Sequence, residues 1–145
     1  MAISLNVRFL GTSPPDSEDP HPPGAGIARF IEDVLRRRGF AVDPMDDWRD
    51  AGWVVGHGQG SNALDIALAA IGEREWMLQV APREMPSLVA RLLGRRPPDH
   101  SKAIHAIALA VDNVLQDLGM TGRSWRWDGP PRPSDPATPP PAKAT

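Results

Sequence analysis

The chain has 145 residues, no cysteine, 41% hydrophobic and 23% charged residues, and a formal net charge of −2. These figures place it among ordinary globular chains of one domain and exclude a disulfide framework, a thiolate nucleophile and cysteine metal ligation. The near-neutral balance also argues against a nucleic-acid partner, and no apolar run approaches the roughly 20 residues needed to cross a bilayer.

The opening MAISLNVRFL lacks the basic region, long apolar stretch and small-residue cleavage site of a secretory signal, so a cytoplasmic location is expected. Ile3, Leu5, Val7 and Phe9 alternate with polar residues, the two-residue period of a half-buried strand. Residues 11–23, with five prolines and three acids, read as an exposed loop. Ile27, Phe30, Ile31, Val34 and Leu35 then recur at helical spacing with Gly39 as the stop, giving one apolar stripe that has to lie on a sheet.

Between Gly52 and Val80 three apolar runs, GWVV, NALDIALAAI and EWMLQV, are separated by turn chemistry and form an antiparallel meander. The middle run is alanine-rich and helical by propensity, whereas its alternation and glycine-rich entry favour a strand; both remain open for residues 62–71. REMPSLVARLLG has a proline near a helix start and Gly94 as a stop, which predicts a short helix. From Asp99, a capping residue, Ile104, Ile107, Ala108, Val111, Leu115 and Leu118 trace the strongest helical stripe, ending at Gly119. GRSWRWDG returns to period two, with Trp125 and Trp127 on one face of a last strand.

The expected order is therefore β-α-β-β-β-α-α-β, an α+β domain over residues 1–129 with helices on a mainly antiparallel sheet. Seven of residues 130–145 are proline, so this tail is expected to be disordered.

Candidate chemistry is sparse. His100 and His105, five apart, fall on different sides of a helix, so no metal site is expected, and no cofactor. His57 and Asp65 form the one histidine and carboxylate pair that could converge across a hairpin, set against an ordinary solvated turn histidine. GHGQGSN lacks the Lys-Ser/Thr ending of a phosphate-binding loop, and Ser61 and Ser124 lack a nucleophile elbow. The arginines at 36–38 and 95–96 suit helix ends and the helix dipole better than a phosphate patch.

Two clusters suggest binding instead. Asp46, Asp47 and Asp50 surround Trp48 in PMDDWRDAGW, which is either an acidic loop pinned by one buried indole or an acidic and aromatic surface for a basic partner. Trp125 and Trp127 are either anchors for a terminal strand or part of an interaction surface.

The stretches DDWRDAGW, EWMLQVAP, LLGR and SWRWDGPP resemble small bacterial immunity proteins of polymorphic toxin and type VI secretion systems, over roughly residues 3–131. The resemblance implies a cytoplasmic, non-enzymatic α+β protein that occludes a toxin's active site; it transfers no individual functional residue. The chain is expected as a monomer or homodimer; a secretion chaperone or adaptor, which predicts homodimerisation through a helix or sheet edge, is the alternative, followed by a small-ligand binder or enzyme.

Overall fold

A computed structural model describes residues 3–14, 22–48, 51–84, 92–94 and 99–142. Six antiparallel strands form one sheet: β1 (Leu5–Leu10), β2 (Asp46–Trp48), β3 (Gly52–His57), β4 (Leu64–Ala70), β5 (Glu75–Pro82) and β6 (Thr121–Trp127). Their order across the sheet is β2-β3-β4-β5-β1-β6. The described residues also include the helices α1 (Ala25–Arg37) and α2 (Ser101–Asp117), which make the fold α+β.

Alternation along each strand decides which face is buried. Leu5, Val7 and Phe9 of β1 pair with Val80, Leu78 and Trp76 of β5, so these side chains share one face, and all six are buried. Leu64, Ile66 and Leu68 of β4 and Val55 of β3 extend that face. Ile27, Ile31 and Leu35 of α1 and Ile104, Ile107, Val111 and Leu115 of α2 lie in the same core cluster, so both helices cover this side. Each fully buried aliphatic or Phe side chain contributes about 1.5–3 kcal/mol relative to exposure.

Both helices end alike. Gly39 N–H donates to Arg36 O (3.1 Å) and Phe40 N–H to Leu35 O (3.0 Å); Gly119 and Met120 repeat this with Gln116 (3.0 Å) and Leu115 (2.9 Å). Gly39 and Gly119 have φ of 90° and 78°, the left-handed closure that ends a helix and satisfies its last carbonyls. The N-cap position of α2 is His100 and not the expected Asp99, whose carboxylate accepts the Ser101 N–H (3.0 Å) from one residue further out.

Three further features differ from the sequence expectation. The acidic run 46–48, expected as part of a loop, is an additional strand, β2, held by pairing with β3 (Asp46 opposite Val54, Trp48 opposite Gly52). Phe30 is 46% exposed because it sits about 115° around the helix from the centre of the Ile27, Ala28, Ile31 and Leu35 row. The alanine-rich run is the strand that its alternation favoured, at Leu64–Ala70, preceded by a single 3-10 turn at Gly60–Asn62. The short helix expected from REMPSLVARLLG falls largely outside the described residues, as does most of the 11–23 loop.

The third of these differences is the tail. In place of the expected disordered end, residues 130–142 fold back along β6, where Thr138 forms a parallel bridge to Ser124. Prolines supply no N–H, but their carbonyls accept hydrogen bonds from side chains of the domain, which offsets the cost of ordering them.

Candidate functional site

The two clusters singled out from the sequence occupy opposite edges of the sheet. Five inter-strand steps separate β2 from β6, about 24 Å at the usual strand spacing. They cannot form one site.

At the β2 edge, Asp46, Asp47 and Trp48 are all exposed, the indole by 40%. Strand alternation puts Asp46 and Trp48 on the face away from the helices, while Asp47 shares the helix side with its partner Trp53. Trp48 lies opposite Gly52, which has no side chain to cover it. The turn into β3 closes through Ala51 N–H to Trp48 O (2.9 Å). The Asp46 carboxylate accepts the Asp47 N–H (2.8 Å), so this edge offers carboxylate and indole groups more readily than a free backbone donor. Glu32 of α1 accepts the Met45 N–H and fixes the strand's entry. Trp53 is the pinning indole: it is half-buried and donates to Pro22 O (2.9 Å). Asp50, the remaining member of the predicted patch, lies outside the described residues.

At the other edge, Trp125 and Trp127 pair with Val7 and Leu5 and so face the helices together. Trp125 is 4% exposed, and its Nε1–H donates to the Asp112 carboxylate of α2 (2.9 Å). The same carboxylate oxygen accepts Arg123 Nε–H (2.9 Å), while Arg123 also donates to Met120 O (2.7 Å). Trp125 is therefore an anchor of β6. Trp127 is half-buried, and its Nε1–H donates to Pro141 O (2.8 Å). Sequence reasoning missed Asp112 because it lies in the polar flank of an otherwise apolar helical stripe.

The expected His57 and Asp65 pair does not converge. His57 lies opposite Leu64 and Asp65 opposite Gly56, so the two side chains leave opposite faces of the sheet. Asp65 accepts Arg83 Nε–H (2.9 Å), and Asp43 approaches the same guanidinium at 3.7 Å. His57 stands edge-on to the Phe40 ring, centroids 5.8 Å apart. Its Nδ1 is buried without a hydrogen-bond partner. Burial pushes the imidazole below its ordinary pKa, with the Asp43 carboxylate pulling the other way. The ring is thus partly buried with one nitrogen enclosed, and Asp65 stands on the other face of the sheet.

Among the described residues no group of three or more His, Asp or Glu side chains could hold a metal ion. No described helix is long and apolar enough to cross a membrane. No protein-family model matches the chain, and no curated protein matches it at a significant level.

Proposed function

We propose that the chain is a non-catalytic protein-binding domain, an immunity protein that neutralises a cognate toxin or effector in the cytoplasm. The observation that supports this is the asymmetry of the sheet: one edge is covered by the chain's own tail, and the other carries Asp46, Asp47 and Trp48 in exposed positions. Carboxylates beside an exposed indole suit a basic partner, with charge speeding encounter and the ring anchoring the complex. A toxin that acts on nucleic acid or another anionic substrate carries such a basic surface at its active site, and an acidic edge would occlude it.

The test is a pull-down from the source organism's lysate, using the wild-type chain and an Asp46→Lys/Asp47→Lys variant, followed by co-expression of the captured protein with each. A captured protein that arrests growth, is neutralised by the wild type and escapes the variant meets the expectation. Equal binding by both forms removes β2 from the interface. A non-toxic client bound by a dimer of this chain replaces immunity with the chaperone or adaptor role.

A further inference from the structure

We propose that the groove between α2 and β6 is a receptor for proline-rich segments, held shut by the chain's own residues 138–141. Thr138, Pro139 and Pro140 each precede a proline, which restricts them to extended, polyproline-II-like backbone. This short segment runs parallel to β6, and the domain meets it with donors. Trp127 Nε1–H reaches Pro141 O (2.8 Å), and His105 Nε2 on α2 pairs with Pro140 O (3.1 Å), the nitrogen donating in the tautomer this requires. Pro140 is buried.

Thr138 supplies the strand-like end of the contact. Its N–H donates to Arg123 O (2.9 Å), and its hydroxyl accepts the Trp125 N–H (3.2 Å). An indole and an imidazole N–H directed at successive proline carbonyls, beside a buried proline ring, form the recognition chemistry of a polyproline II ligand. Nothing in these contacts requires that the ligand be covalently attached. Residues 132–134, 136, 137 and 139 are exposed, so the segment is held by a few contacts and can leave. Ala137, Thr138 and Pro139 border an open pocket of about 360 Å³ whose other walls include Asp112, Gln116 and Arg123. A methyl group underuses that space, and a foreign segment with a longer polar residue there would make contacts the tail does not.

The roughly ten-residue connection from β6 to Thr138 gives the tail a millimolar effective concentration, so a free peptide of equal intrinsic affinity is excluded at micromolar levels. Weakening the tail's contacts must therefore open the site. The experiment measures fluorescence anisotropy of labelled SDPATPPPAKAT, the sequence of residues 134–145, against full-length protein. The forms compared are the wild type, Thr138→Ala, and the triple variant Thr138→Gly/Pro140→Gly/Pro141→Gly, whose changes lie in the tail and not in the groove walls.

The triple variant should bind at least tenfold more tightly than wild type, and Thr138→Ala by an intermediate amount. Adding Trp127→Phe should weaken that binding about fivefold, the loss expected for one hydrogen bond, and a peptide with its prolines replaced by alanine should not bind. Peptide binding that is absent or equal in all forms overturns the proposal. So does binding indifferent to Trp127→Phe, or a gain traced by sedimentation to pairing of two copies through β6. Should the triple variant fail to fold, Thr138→Ala decides alone: no rise above wild type is a refutation.

Discussion

Replacing Asp112 by alanine removes the one group that ties β6 to α2 through both of its donors. Trp125 is 4% exposed, so its Nε1–H loses an acceptor without gaining water, a penalty of about 1–3 kcal/mol. The Arg123 side chain is 24% exposed and keeps its bond to Met120 O, so its share is the smaller value of a screened pair, about 0.5–1 kcal/mol. The total expected destabilisation is about 1.5–4 kcal/mol, which for a domain of this size lowers Tm by roughly 5–12 °C. Asp112→Asn retains an acceptor oxygen for the indole and should lose about half as much. Urea unfolding monitored by tryptophan fluorescence gives both values, and a Trp125→Phe/Asp112→Asn double-mutant cycle isolates the shared bond. Loss of less than about 0.5 kcal/mol in Asp112→Ala, with no coupling in the cycle, would show that the carboxylate does not hold the strand.

The remaining predictions concern the β3 strand. His57 has its folded pKa lowered, so above the unfolded value of about 6.5 it costs nothing, and stability is lost as pH falls below 6.5 because the unfolded chain takes up the proton first. The urea midpoint should therefore fall less between pH 7.5 and 5.5 in His57→Gln than in wild type; parallel slopes would contradict the assignment. Asp43 is the carboxylate that opposes the effect, whereas Asp65 leaves the opposite face and is taken up by Arg83. Gly52→Ala and Gly56→Ala should differ sharply under the same denaturation assay. A methyl at Gly52 runs into the Leu68 backbone carbonyl, which cannot move, and should cost about 2–3 kcal/mol. At Gly56 it meets the end of the Arg83 side chain, which can swing away from Asp43 for less than about 1 kcal/mol.

Most of the elements were legible because burial on one face imposes a period. The alternation of Leu5, Val7 and Phe9, the α2 stripe and the SWRW pattern each reflect the side of the sheet that the helices cover. Strand β2 was not legible: Asp46, Asp47 and Trp48 are exposed on both faces, so no alternation marks them, and only the pairing partner makes them a strand. The tail was misjudged for a related reason. Composition shows that prolines cannot donate, but not that Trp127 and His105 stand ready to donate to them. The separation of His57 from Asp65 depended on register, since a slip of one residue would have put both on the same face. Of the candidate patches, Trp125 was found as a residue worth attention, while its anchoring partner Asp112 and the Thr138 contact needed the folded arrangement to be seen.

The place of β1 between β5 and β6 sets a timetable for folding. Val7 lies between Leu78 of β5 and Trp125 of β6, so the first strand to be synthesised needs the last one before its second row of hydrogen bonds can form. At about 5–20 residues per second, on the order of ten seconds of translation separates them. The hairpins from β2 to β5 close locally in the meantime and give β1 its first partner, while Leu5, Val7 and Phe9 stay without the cover of α2 until that helix is made. A chaperone that binds nascent chains would find Leu5, Val7 and Phe9 its natural first target here.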